Sequence, residues 1–180
     1  LAETREGYSN LCKLITYSRI GGDRRDPRLD PKHLPSPPGG LVLLTGCRKG
    51  RVPSLLANEK GMEAEAEARN YLEWYGPDNV FIELQQNLVQ GDTGRNRRLV
   101  ELARDLDVGI VATNNVHYHE RARHRLQDCL VAIHSRKSLE QSHRERRANA
   151  ELYLKTPERM ARLFREVPES IANTMVIADR

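Results

Sequence analysis

The sequence predicts an α/β fold: parallel strands forming part of a distorted (β/α) barrel, followed by C-terminal helices. Three observations lead there. Residues 41–45 (Leu-Val-Leu-Leu-Thr), 80–84 (Val-Phe-Ile-Glu-Leu) and 109–113 (Gly-Ile-Val-Ala-Thr) are short, apolar and partly β-branched, as buried parallel strands are. Helical patterns separate them, and alternation of the two kinds of element implies crossover connections and a parallel sheet. Three strands cannot close a barrel of about eight, so the chain is expected to supply part of a larger one. Each run also ends in polar residues, at Gly46-Cys47, Gln85-Gln86-Asn87 and Asn114-Asn115-Val116-His117. Ligand sites in such folds lie at the carboxyl ends of the strands, where the loops converge. Cys47, Glu83, Asn115 and His117 are therefore expected at one rim.

The elements follow in order. Residues 3–20 read as a helix with Tyr8, Leu11, Cys12 and Ile15 on one side, ended by Gly21-Gly22. The stretch 26–40 holds Pro27, Pro31, Pro35, Pro37 and Pro38 and must be irregular. After the first strand, Gly50 and Pro53 precede a strong helix over 62–75, with Ala64, Ala68, Tyr71, Leu72 and Tyr75 as its buried stripe. Gly76-Pro77 ends it before the second strand. A loop at 91–94 leads to a helix marked by Leu99, Leu102, Ala103 and Leu106, and the third strand follows. Beyond His117, Ala122, Leu126, Cys129, Leu130 and Ile133 share a helical face. Residues 135–149 are polar and read as loop, and 152–154 as a short strand. Thr156-Pro157-Glu158 supplies a capping hydroxyl, a first-position proline and a first-turn acid for one helix. Val167-Pro168-Glu169 starts the last. Two regions are expected: 1–150 as the barrel portion and 151–180 as a helical connection.

The 180 residues carry 38% hydrophobic and 30% charged side chains and a formal charge of +4, the balance of a charge-rich globular protein. No apolar run approaches the roughly 18 residues that span a membrane. The start at Leu1 has neither Met nor a signal-peptide pattern and reads as the middle of a longer protein. Three widely spaced cysteines with no Cys-x-x-Cys pair point to reduced thiols and a cytoplasmic setting. The excess charge is local. Residues 119–147 hold Arg121, Arg123, Arg125, Arg136, Lys137, Arg144, Arg146 and Arg147 against four acids. Such a patch can attract nucleic acid, and it can equally be a solvated helix face, the reading its mixed signs favour.

Four residues can carry chemistry. Gly46 permits a tight turn that exposes the Cys47 thiol, a soft metal ligand; packing as a small buried residue is the alternative. Glu83 sits in an apolar strand, and a buried carboxylate needs a metal, an arginine or a backbone donor beside it. Asn115 and His117 are two apart and share a face in extended backbone. His117 is a reasonable ligand or else a structural histidine, while the neutral oxygen of Asn115 is a weak one. Walker loops, G-x-S-x-G elbows and H-E-x-x-H motifs are absent.

Residues 111–118 (Val-Ala-Thr-Asn-Asn-Val-His-Tyr), 44–47 (Leu-Thr-Gly-Cys) and 81–85 (Phe-Ile-Glu-Leu-Gln) resemble the PHP domain, named for polymerase and histidinol phosphatase, of bacterial family C DNA polymerases. Residues 6–14, 152–160 and 170–174 are similar to further stretches of that family, so the resemblance covers nearly the whole chain. The wording of 114–119 and the Arg-rich segment 142–149 look most like the error-prone branch. The resemblance implies a distorted α/β barrel with a divalent metal cluster (zinc, manganese or magnesium) at the strand ends. Cys47 and His117 match its ligand positions. Asn115 stands where the family usually has Asp, and Gln86-Asn87 where it often has an acid and His, so the site is expected to be partial or vestigial. DNA-directed DNA synthesis, with roles in replication, repair and translesion synthesis, is implied for a parent chain, whose remainder is the expected partner and through which DNA is bound. A free-standing PHP phosphoesterase is the alternative reading.

Overall fold

The computed structural model describes residues 1–22, 26–30 and 39–180. Most of the proline-rich stretch expected to be irregular therefore lies outside the described residues. Helix α1 (Arg5–Ile20) is capped by Thr4, whose hydroxyl accepts from the Gly7 N–H at 3.0 Å. Its buried residues are Gly7, Asn10 and Leu14, whereas Tyr8 and Ile15 are exposed. The apolar side read from sequence thus faces away from the fold. Close backbone packing replaces it: a Cβ on Gly7 would lie 1.7 Å from the Gly40 carbonyl oxygen, so only glycine lets the helix approach.

Residues 1–3 run antiparallel to 40–42, with Val42 N–H donating to the Leu1 carbonyl at 3.0 Å and Glu3 N–H to that of Gly40 at 2.9 Å. That pairing takes up the first half of the expected strand, and β1 is only Leu43–Leu44. Strands β2 (Val80–Gln85) and β3 (Gly109–Thr113) complete a parallel three-stranded sheet in the order β1-β2-β3. Their register sets Glu83 beside Val111 and Gln85 beside Thr113. The expected partial parallel α/β architecture is what the chain adopts.

Helix α2 (Arg51–Ala57) fills the segment around Gly50 and Pro53 to which the sequence reading assigned no element. Pro53 falls in the first turn, where a helix has no intrahelical use for its N–H, so proline is tolerated. Helix α3 (Gly61–Tyr75) buries Ala64 and Ala68 as predicted. Helix α4 (Asp92–Asp105) begins inside the segment read as loop, because Asp92 itself holds the turn before it. One core forms between these helices and the sheet, around Val52, Ala68, Ile82, Leu84, Leu99 and Ile110. On the other sheet face Val42, Phe81 and Val111 make a smaller cluster.

Helix α5 (His124–Ser135) departs most from expectation. Of its predicted apolar face, Leu126, Leu130 and Ile133 are exposed, and the helix buries only Ala132. The short strand expected at 152–154 is a single parallel bridge between Tyr153 and Tyr118. Helix α6 (Pro157–Leu163) starts at the predicted cap, with Thr156 accepting from Arg159 N–H. Helix α7 (Glu169–Ala178) packs on β3, where Asn173 Nδ2 donates to the Ile110 carbonyl at 2.8 Å. No helix among the described residues is long and apolar enough to cross a membrane.

Candidate functional site

Parallel pairing brings the three strand ends to one edge of the sheet, with Cys47, Asn87 and His117 in the loops beyond them. What each candidate does there differs. Gly46 has φ +84°, the left-handed conformation the tight turn after β1 requires. Cys47 is half-buried, and its carbonyl accepts the Gly50 N–H at 2.6 Å.

Glu83 is 9% exposed and points to the same sheet face as Phe81 and Gln85, opposite Ile82 and Leu84. Its Oε1 accepts from Gln85 Nε2 at 2.7 Å and from the Thr113 hydroxyl, while its backbone N–H donates to Thr45 Oγ1 at 2.9 Å. The partner that a buried carboxylate needs is thus a pair of neutral donors, Gln85 and Thr113, which face each other two residues along the β2–β3 register. Alternation along β2 places Gln85 on the face of Glu83, whereas Thr113 joins them only through the β2–β3 register.

Asn115 has φ +47°, a conformation asparagine tolerates better than most residues. The left-handed backbone interrupts the alternation, so the shared face expected of Asn115 and His117 in extended chain does not apply. Its neighbour Asn114 is wired into the fold instead: its carbonyl accepts from Asn87 Nδ2 at 3.1 Å and its Oδ1 from Lys155 Nζ at 2.9 Å. Asn87 in turn donates its N–H to Asp92 Oδ2 at 2.9 Å, and its carbonyl accepts from Asn149 at 2.8 Å.

His117 donates its backbone N–H to the Leu152 carbonyl at 2.8 Å, and its Nε2 lies 2.8 Å from the Arg147 guanidinium. A guanidinium can only donate, so Nε2 must be the acceptor and the imidazole neutral. Burial lowers the His117 pKa, and the charges of Arg147 and Lys49 lower it further. A folded value below the ordinary histidine value near 6.5 means the stability this group contributes is intact above that pH. It is lost as pH falls below it toward the depressed value. Replacing Arg147 with Met is expected to raise the His117 pKa, read from the ring-proton shift in an NMR titration; an unmoved midpoint contradicts the contact.

The predicted basic residues do not form one surface. Arg121 is paired with Glu151 at 2.8 Å, Arg123 with Glu120 at 3.3 Å, Lys137 with Glu145 at 2.5 Å and Arg146 with Asp128 at 3.4 Å. Arg125 lies on α5, and Arg136 caps that helix with φ +54°. Arg144, Arg146 and Arg147 line a cavity of about 780 Å³ at the strand ends, together with Arg48, Lys49, Asn87 and Asn115. Sequence reading missed Arg48 and Lys49 here, although their place directly after Cys47 puts them at the same rim.

The donor set does not suit a divalent metal. Among the described residues, no three of His, Cys, Asp and Glu come together as ligands. Glu83 Oε1 is engaged by Gln85 and Thr113, the His117 lone pair by a cation, and Asn115 is neutral.

The PHP domain family matches this chain over residues 1–87. Across its whole length the chain is 36% identical to the error-prone DNA polymerase of Symbiobacterium thermophilum, of which it covers 18%. It is 38% identical over its whole length to the DNA polymerase III subunit alpha of Treponema pallidum, covering 15% of that protein. With the error-prone DNA polymerase of Mycobacterium tuberculosis it shares 33% identity, again over the whole chain and 17% of the relative. The chain thus spans less than a fifth of the length of these relatives.

Proposed function

We propose, for a chain that belongs to the PHP domain family over residues 1–87 and is homologous throughout to bacterial DNA polymerase III alpha subunits and error-prone DNA polymerases, that it is the PHP-domain part of a DNA-directed DNA polymerase of the error-prone kind. The observation that carries this is the reach of the likeness. Residues 88–180, beyond the PHP match, align with polymerases as well. This favours the polymerase over a free-standing PHP phosphoesterase. In the parent protein, DNA synthesis across damage is the activity, the remainder of the polymerase chain is the partner, DNA is bound through that whole, and the setting is the cytoplasm. Residues 1–150 form the barrel portion and 151–180 the connection to the polymerase body.

Within that protein the rim acts as a scaffold. Its metal-ligand positions have become hydrogen-bonding positions: Glu83 ties β2 to β3, Asn87 ties the β2 end to Asn114 and Asn149, and His117 is held by Arg147. Metal in a PHP site would polarise a phosphate ester and supply a hydroxide nucleophile. Cys47, Glu83 and His117, with Asn115, are the vestige of such a site.

Primer extension by the full-length protein tests the reading, using the natural chain and the Asn115→Asp variant. Both are expected to incorporate deoxynucleotides equally, and the variant to gain neither bound metal nor nuclease activity. Absence of template-directed synthesis by the natural protein overturns the polymerase assignment, and a nuclease gained by Asn115→Asp overturns the scaffold role.

A further inference from the structure

A second cavity, of about 320 Å³, lies at the edge strand β1 against one face of α3. Glu67, Tyr71, Trp74 and Tyr75 recur along that helix at the three- and four-residue spacings of a single face, and Leu43 and Leu44 of β1 line the cavity with them. None of these residues lines the strand-end cavity. Among the described residues Glu67 is the one charged group of the lining, and it is negative in a chain of net charge +4. Two other acids of α3 are closely paired, Glu63 with Lys60 at 2.9 Å and Glu65 with Arg69 at 2.7 Å. Glu67 has Arg51 only at 4.0 Å, and that side chain is 64% exposed, so water screens the pair. Burial, and then a hydrogen bond to Glu67, push the Tyr71 pKa up, so its ring stays neutral. The rings of Tyr71 and Trp74 lie 6.1 Å apart and tilted by 45°, and therefore do not stack face to face.

We propose that this cavity takes an organic cation, a guanidinium or ammonium group on an aliphatic stem, held between the Glu67 carboxylate and the rings of Tyr71, Trp74 and Tyr75. Aromatic rings attract a cation through their negative faces, Trp most strongly, and a carboxylate adds a charge-assisted acceptor. Leu43 and Leu44 suit the stem. A divalent metal does not fit, because one carboxylate among aromatic and aliphatic side chains cannot replace its roughly six oxygen ligands. An anion does not fit either, since no lysine or arginine among the described residues lines the cavity. Guanidinium is more weakly hydrated than ammonium and stacks on aromatic faces, so it is the preferred headgroup. A free guanidino compound and the arginine side chain of a polypeptide share this chemistry.

Ligand-detected NMR titration of the full-length protein tests this with n-butylguanidinium and its neutral counterpart of similar shape, n-butylurea. The cation is expected to bind, and the urea about tenfold more weakly. Glu67→Gln, which keeps an acceptor for Tyr71, and Trp74→Leu are each expected to weaken the cation about tenfold, whereas Trp74→Phe keeps a ring and most of the binding. An unchanged unfolding midpoint for Glu67→Gln separates lost binding from a lost fold. A second arm uses Nα-acetyl-arginine N-methylamide. Affinity at least equal to that of n-butylguanidinium assigns the cavity to an arginine side chain, and weaker binding assigns it to free guanidino compounds. No binding of the cation, equal binding of the urea, or binding that Glu67→Gln and Trp74→Leu both leave unchanged overturns the site.

Discussion

Replacing Glu151 with Ala is expected to destabilise the protein by about 2 kcal/mol, because the change strips a buried carboxylate from the buried Lys155 ammonium and from Arg121 and Arg159, whose exposure to solvent screens their share. Glu151 is 4% exposed and pairs with Arg121 at 2.8 Å and Arg159 at 3.3 Å. Its backbone carbonyl accepts from Lys155 Nζ, an ammonium that also donates to Asn114 Oδ1 and lies 4.5 Å above the Tyr153 ring. Burial lowers the Lys155 pKa, and Glu151 opposes that shift by favouring the charged form. Without Glu151 the ammonium loses its compensating charge, and the Arg159 Nε, already unpartnered, is joined by a free guanidinium. Because residues 152–154 bond along 117–118, the loss is transmitted to the rim. Denaturant unfolding measures it, and a loss below about 1 kcal/mol contradicts the cluster's role.

The second large effect separates a structural carboxylate from a metal ligand. Glu83→Ala takes the acceptor from the half-buried Thr113 hydroxyl and leaves the buried Gln85 amide only Thr113 Oγ1 at 3.1 Å, at a cost of about 2 kcal/mol. Glu83→Gln keeps an acceptor oxygen in place, so its expected cost is under about 1 kcal/mol. Were Glu83 needed as an anionic ligand, the two variants would fail alike. Thermal unfolding of the pair decides between them: near-equal losses contradict the hydrogen-bonded role.

These residues also show what could be read from sequence and what could not. The runs 80–84 and 109–113 lie in the strands because a fully buried parallel strand leaves a continuous apolar record. The rim position of Cys47, Asn87 and His117 followed from their place just after strands. One partner of Glu83, Gln85, was also within reach, since alternation puts it on the same face of the strand, whereas Thr113 needed the register. The Arg147 contact was not, because Arg147 lies 30 positions beyond His117, within the polar segment 135–149 that carries no periodic pattern. Amphipathic patterns misled at α1 and α5 for a related reason. A stripe of Leu, Ile and Tyr records where apolar residues lie on a helix, not which face meets the fold. At α1 a glycine contact decided the matter, and at α5 the stripe remains exposed.

In the proposed scaffold role, the strand-end rim is held by its own side chains and cations, and not by a metal. Thermal unfolding of the protein in EDTA, and again with zinc or manganese in excess, tests it most directly when paired with elemental analysis. The same midpoint is expected in every condition, with no stoichiometric metal. A tightly bound ion would add roughly 3 kcal/mol at a hundredfold excess over its dissociation constant, a shift of about 5 °C or more for a chain of this size. A shift of that size, with one or more metal ions per chain, would instead make the rim a metal site.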